Sequence, residues 1–301
     1  MKKVVFYFEA EWAFGSIHYE LFKYLFSLGY NCHLLSWDRR CTREEILELD
    51  SHVDFWVTCT QGYRHLGYGL NAVRPERVVI IVHSIVDLNE FIQNHGYNDF
   101  DRFKNYGAVS DYLISYSEKV GVVRKPNLCP LGINYHTFYN QPSKQLSTIG
   151  YAGKLVGKHF GLGRDIKRGY LVEQVANKTG LQLKVAETYH KSFVTMSGFY
   201  KNVDCVIMSS TEEGAGLPVL EAGAAGKLVL GTPVGHWNDR IADKGGITLP
   251  LPEEEFVNKC VEILNYYKNN PTEYVNRCLQ IQEHAKSYDW SNYIDYWLKV
   301  L

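Results

Sequence analysis

Along this chain of 301 residues, short apolar runs alternate with segments whose apolar residues recur every three or four positions, and the whole pattern occurs twice. Residues 4–8, 32–37, 55–58 and 78–82 are apolar almost throughout, as expected of strands covered on both faces. Residues 18–28 have helical spacing and stop at Gly29. Residues 109–116 read as a strand, or as a strand running into its helix, and residues 127–130 as a short edge strand. A polar stretch over 140–147, containing Pro142, reads as a linker. The second half predicts strands at 148–152, 181–186, 204–208, 227–230 and 246–249, and helices at 168–179, 191–202, 218–225 and 253–267. Two further helical segments, 272–287 and 290–300, close the chain. This is the alternation of an α/β protein built from two doubly wound parallel sheets. Chemistry in such sheets belongs in the loops at the carboxyl ends of the strands.

Composition narrows the class. Hydrophobic residues make up 46% and charged residues 22%, which suits a globular protein with real cores. A formal net charge of -1 gives no reason to expect a nucleic-acid partner. Seven cysteines, at 32, 41, 59, 129, 205, 260 and 278, are scattered without a C-x-x-C, the usage of reduced thiols in a cytoplasmic protein. The apolar run after Lys2-Lys3 is too short for a signal peptide and is interrupted by Glu9 and Glu11, so it reads as a first buried strand. No run of about 18 uncharged apolar residues occurs, which leaves room for peripheral membrane contact without pointing to it. Oligomeric state has no signature in the chain.

The densest chemistry lies in Ser209-Ser210-Thr211-Glu212-Glu213-Gly214-Ala215-Gly216-Leu217-Pro218-Val219-Leu220-Glu221-Ala222. Glu213 and Glu221 flank a glycine-rich turn that runs straight into a helix. Pro218 suits the first helical turn, where its missing N–H would have no partner anyway. Gly214 and Gly216 leave room for close approach of a ligand to the backbone, and the amides of Gly216, Leu217, Pro218 and Val219 stand where a helix N-terminus favours an anion. An anion cradle between two hydrogen-bond acceptors fits a phosphorylated sugar. The plain alternative is that Glu212 and Glu213 only complement a helix dipole and that Glu221 is a solvated helix carboxylate.

The same run resembles the E-x7-E signature of retaining GT-B glycosyltransferases, in particular family 4, which reads roughly E-G-x-G-L-P-x-L-E-A. The likeness continues through Ala224-Ala225-Gly226-Lys227-Leu228-Val229-Leu230-Gly231-Thr232-Pro233-Val234-Gly235, and covers most of residues 105–300 and more weakly 1–100. Pro130-Leu131-Gly132-Ile133-Asn134-Tyr135-His136-Thr137-Phe138 is similar to the family's P-N-G-V-D-x-x-x-F segment, with Leu131 in place of the Asn. The resemblance implies two facing Rossmann-like domains. Residues 1–140 would form the acceptor side, with a crossover helix over 288–301 packing back on it, and residues 146–287 would bind the nucleotide sugar.

Site roles follow from the resemblance residue by residue. Glu213 would face the donor sugar, and Glu221 would hold the ribose hydroxyls of the nucleotide. Lys154, after Gly150-Tyr151-Ala152-Gly153, stands where the family usually has Arg and would meet the diphosphate. A second cation is expected among Lys158, Arg164, Lys167 and Arg168, with Arg168-Gly169 the best match to the family's Lys-Gly. Gly15-Ser16, read as a loop before the first helix, would approach the diphosphate and acceptor. The bland reading there is a turn with Ser16 as N-cap. His83, ending the run Val78-Val79-Ile80-Ile81-Val82, would contact the donor sugar. The partners implied are a nucleotide-diphosphate sugar and a hydroxyl acceptor (glycan, lipid-linked or small molecule), with no resident cofactor and no metal. Asp99-Phe100-Asp101 has the spelling of a D-x-D metal motif but lies in a polar loop and reads as surface.

Three departures bear on activity: Ala215 stands where relatives often carry an aromatic residue, Lys154 replaces Arg, and the chain is short for the family. A non-catalytic sugar-nucleotide-binding protein and a sugar-nucleotide epimerase of the same fold therefore stay open, whereas a phosphorylase would need a pyridoxal lysine motif that is missing.

Overall fold

The computed structural model describes every residue except 1, 11, 156–163 and 187–194, and every described side chain except those of Trp12 and Asn98. In chain order the first half runs β1 (Lys3–Phe8), α1 (Trp12–Ser27), β2 (Asn31–Ser36), α2 (Arg43–His52), β3 (Phe55–Cys59), α3 (Thr60–Tyr63), β4 (Val78–Val82), α4 (Ile85–His95), β5 (Asn105–Ala108), α5 (Asp111–Lys119) and β6 (Asn127–Leu128). It continues with α6 (Tyr135–Phe138), β7 (Thr148–Tyr151), α7 (Gly169–Thr179), β8 (Gln182–Val185), α8 (Met196–Lys201), β9 (Cys205–Met208), α9 (Leu217–Ala224), β10 (Leu228–Gly231), β11 (Ile247–Thr248), α10 (Glu253–Asn269), α11 (Pro271–Ala285) and α12 (Ile294–Leu298). Two compact units result, Met1–Gly132 with Trp290–Leu301, and Ile133–Asp289.

The first unit holds a parallel sheet ordered β2-β1-β3-β4-β5-β6. Val4, Val5, Tyr7, Trp56, Val57 and the whole of β4 are buried, which is why these strands read as unbroken apolar runs. Helix α1 begins at Trp12, six residues before the predicted start, because Phe14, Ile17, His18, Leu21 and Leu25 already lie at helical spacing. The predicted strand over 109–116 is also corrected. The strand is β5, whose Asn105 and Gly107 break its apolar pattern, and Ser110 then caps α5 by accepting the Leu113 N–H at 3.3 Å. The C-terminal segment belongs to this unit. Trp297 Nε1 donates to Pro130 O at 2.9 Å, and Asn105 Nδ2 donates to Val300 O at 2.9 Å. That segment is a 3-10 turn over Trp290–Asn292 followed by α12, rather than one helix.

The second unit holds a parallel sheet ordered β11-β10-β9-β7-β8. Its core joins Ile149, Cys205, Ile207, Leu228 and Leu230 of the sheet to Val172 and Val175 of α7 and to Phe256, Cys260 and Leu264 of α10. The stretch 140–147, expected as a linker, lies inside this unit, where Gln282 Nε2 donates to both Asn140 O (2.7 Å) and Ala224 O (2.9 Å). Of the predicted helix over 191–202, α8 covers Met196–Lys201, and residues 191–194 lie outside the described ones. The strand order reverses between β7 and β9, so the ligand crevice of this sheet is expected beyond the carboxyl ends of those two strands.

Candidate active site

The segments that follow β7 and β9, of which residues 152–155, 164–168 and 209–216 are described, leave the switch point and are tied together by hydrogen bonds to backbone carbonyls. Thr211 N donates to Ile166 O at 2.8 Å, Ser209 Oγ to Lys167 O at 2.7 Å and Tyr151 Oη to the same carbonyl at 3.2 Å. Asp165 Oδ1 accepts the amides of Lys167 (2.9 Å) and Arg168 (3.0 Å), closing a tight turn before α7. This turn sends Lys167 and Arg168 in different directions. Lys167 Nζ reaches Glu213 Oε1 at 2.6 Å, and Ser210 Oγ donates to the same oxygen at 2.7 Å. Arg168, in the left-handed region at φ 50°, is 4% exposed. Its Nε donates to Ser209 O at 2.7 Å and its Nη1 to Leu251 O at 2.6 Å, with the guanidinium carbon 5.6 Å from the Phe256 ring centre. Arg168 thus ties loop segments together beneath the site: carbonyls take its Nε and Nη1, while its Nη2 is buried without a hydrogen-bond partner among the described residues.

Arg164 pairs with Glu212 at the rim, and Lys158 lies outside the described residues. Lys154 is exposed, and its place is set by Gly169 at the start of α7. A Cβ on Gly169 would meet Leu155 Cα and O at 2.6 Å and Lys154 O at 2.7 Å, so the backbone that carries Lys154 crosses directly over that helix start.

The signature loop is shaped from below. Thr232 Oγ1 donates to Ser210 O at 2.5 Å and His236 N to Ala215 O at 2.8 Å, so the segment after β10 props the loop at both ends. Gly214, Ala215, Leu217 and Val219 are buried. Gly216 is left-handed at φ 82°, the conformation that lets the chain turn from the loop into α9. The expected amide cradle is narrower than its sequence implies. Pro218 has no N–H and Val219 N donates to Gly216 O at 3.2 Å, which leaves the Gly216 and Leu217 amides. Glu221, one turn into α9, is only 7% exposed and accepts from Tyr200 Oη at 2.8 Å. Burial pushes its carboxyl up to about 7, with the Tyr200 hydrogen bond acting in the opposite direction.

In the first unit, Gly15 and Ser16 lie inside α1 and not in a loop before it, so Ser16 is no N-cap. His83, at the end of β4, is 9% exposed and sits among rings, with centroids 4.9 Å from Phe14, 5.8 Å from His18 and 6.0 Å from Phe8. Burial lowers its imidazole to about 3, so the ring is neutral at physiological pH. His18 is buried beside it, its Nδ1 donating to Phe14 O at 2.7 Å. Asp99 is engaged by Tyr68 and by Arg102 (2.7 Å), and Phe100 between the two aspartates is fully buried, which makes the D-x-D spelling a structural turn more than a free surface. Among the described residues no group of three or more His, Cys, Asp or Glu side chains is placed to hold a metal ion, and no helix is long and apolar enough to cross a membrane.

Residues 161–266, which contain Glu213 and Glu221, match the family model described as glycosyl transferases group 1. No curated protein matches the chain. Among solved structures the chain is similar to a sucrose-phosphate synthase from Thermosynechococcus elongatus (TM-score 0.72, 12% identity, covering 100% of this chain and 98% of that one). It is also similar to Anabaena HepE in complex with UDP-glucose (TM-score 0.70, 13% identity, 100% of both chains). The fold is GT-B. A glycosyltransferase from Rickettsia africae shares it as well, at TM-score 0.65 and 15% identity over 99% of this chain and 97% of that one.

Two residues at the site lay beyond the sequence reading. Lys167 appeared there only as one of four competing cations, and nothing local marks it as the partner of Glu213. Tyr200 had no signal at all, because its helix joins Glu221 through tertiary packing alone.

Proposed function

We propose that this chain is a retaining glycosyltransferase that takes a sugar from a nucleotide diphosphate and passes it to a hydroxyl acceptor. The observation that carries the reading is Glu213, held at the β7/β9 switch point by Lys167 and Ser210, with the buried Glu221 eight positions further on. The second unit would bind the donor and the first the acceptor, a glycan, a lipid-linked sugar or a small molecule. Glu221 would take the ribose hydroxyls and Glu213 the hydroxyls of the transferred sugar. As the glycosidic bond breaks, negative charge builds on the diphosphate. Lys154, Lys167 and the Gly216 and Leu217 amides would be the groups that meet it, and preorganised charge of this kind is worth most where water is excluded. Attack from the face the diphosphate leaves, with a phosphate oxygen taking the acceptor proton, would retain the anomeric configuration and require no carboxylate nucleophile. The seven buried free thiols fit a reducing compartment and support a cytoplasmic site of action.

The test is a donor screen read by proton NMR at the anomeric position, beginning with UDP-glucose because the similar Anabaena protein was solved with it. The reading expects release of nucleoside diphosphate and a product whose anomeric configuration matches the donor. An inverted product would overturn retention. A changed sugar still attached to the nucleotide, formed without acceptor, would identify an epimerase.

A further inference from the structure

Glu221 is an unusual place for a carboxylate to work. It lies in α9, packed among α6, α11, β9 and β10, and 93% of its surface is covered. A buried carboxylate with free rotamers would point in several directions and pick up a proton, both of which weaken it as an acceptor for ribose hydroxyls. One group counters this. Tyr200, at the end of α8, is fully buried, with its ring 5.2 Å from Phe199 and 5.8 Å from Phe138, and its hydroxyl donates to Glu221 Oε2 at 2.8 Å. The remaining oxygen, Oε1, has no partner among the described residues. We infer that Tyr200 is a positioning residue for nucleotide binding: it anchors one oxygen of Glu221 and leaves the other for the ribose.

This rests on the reading of Glu221 as the ribose contact and deepens it. The hydrogen bond favours the ionised carboxyl, because a carboxylate is the stronger acceptor, and the Tyr200 side chain that makes it is fully buried. The titratable and charged groups on the elements around α9 are Cys205 on β9, Tyr274, Arg277, Cys278 and His284 on α11 with the exposed Glu273 and Glu283, and Tyr135 and His136 on α6. Burial raises the two thiols and the two tyrosines and lowers His284. Each of these five is therefore held toward its neutral form, so Tyr200 is the side chain that acts on the Glu221 carboxyl alongside burial itself.

The experiment is isothermal titration of UDP, GDP and ADP into the wild-type protein from pH 6 to 9, followed by the same titration of Tyr200→Phe with the nucleotide that binds. Phenylalanine keeps the ring and removes only the hydroxyl. Its loss should move the Glu221 midpoint, about 7 in the wild type, upward by about one pH unit, the scale expected for a hydrogen bond to a charged group. The ratio of variant to wild-type Kd then approaches about tenfold near pH 6 and falls toward unity near pH 9. Taking the ratio cancels the titration of the diphosphate. In a Glu221→Gln background, which should bind weakly at every pH, the ratio of Kd with and without Tyr200→Phe should be flat with pH. A ratio that is flat in the wild-type background, or one that still falls with pH in the Glu221→Gln background, overturns the inference while leaving the pocket intact. If no nucleotide binds the wild type, the pocket reading falls and the inference falls with it.

Discussion

Glu213→Gln should lower sugar transfer by at least about 100-fold while nucleotide affinity stays within a few-fold, the loss expected when one preorganised transition-state contact is removed. The side chains are nearly isosteric, so Ser210 Oγ keeps an oxygen to donate to. What disappears is the charge opposite Lys167 and the acceptor strength offered to the sugar hydroxyls. Folding should hardly register the change. The Lys167 side chain is 40% exposed, and ion pairs in that setting are worth about 0–1 kcal/mol, so the unfolding temperature should move by no more than about 2 °C. The decisive comparison is kcat against the Kd of the nucleotide in one preparation. Wild-type turnover in the variant would remove Glu213 from the chemistry.

Gly235→Ala should have the opposite profile, a large loss of stability together with loss of donor binding. Gly235 adopts φ 61°, and a Cβ there would stand 2.6 Å from Ala215 O and 3.0 Å from Glu213 Cβ. A left-handed residue bearing a Cβ costs about 1–2 kcal/mol, and overpacking against atoms that cannot retreat about 1–3 more. The clash falls on backbone, so relief requires moving Ala215 and Glu213 themselves. We expect about 3 kcal/mol of destabilisation, a fall in unfolding temperature of about 6 °C, and nucleotide binding weakened at least about tenfold. A fall of under 2 °C with unchanged binding, on the same per-kcal/mol scale, would mean that the segment after β10 does not brace the signature loop.

The two predictions separate what was legible in the sequence from what was not. Strands β4, β9 and β10 were readable because their burial on both faces leaves apolar runs, and the signature loop because its Glu, Gly and Pro residues are local in sequence. Helix α2 went unread although Thr42 and Glu45 form a capping box, since Ile46 is its only buried residue and the apolar stripe is missing. Gly15 and Ser16 are expected in a loop because the resemblance puts a glycine loop after the first strand and helical spacing is read only from residue 18, while the aromatic face of α1 carries the helix through them. Arg168 matched the family's position but was drawn into carbonyl contacts with Ser209 and Leu251, partners 41 and 83 residues away. No window of sequence around Arg168 holds that information. The same holds for Tyr200 and Glu221, 21 positions apart on different helices.

The central claim is that the second unit carries a pocket for a nucleoside diphosphate. Thermal unfolding with UDP, GDP, ADP, CMP and dTDP, each added alone, tests it most directly. A ligand at 100 times its dissociation constant stabilises the folded state by about 2.7 kcal/mol, which a melting curve resolves. The account predicts a clear shift with one nucleoside diphosphate, cut to about half or less by Gly235→Ala and retained by Glu213→Gln. Identical melting curves with all five nucleotides would contradict it.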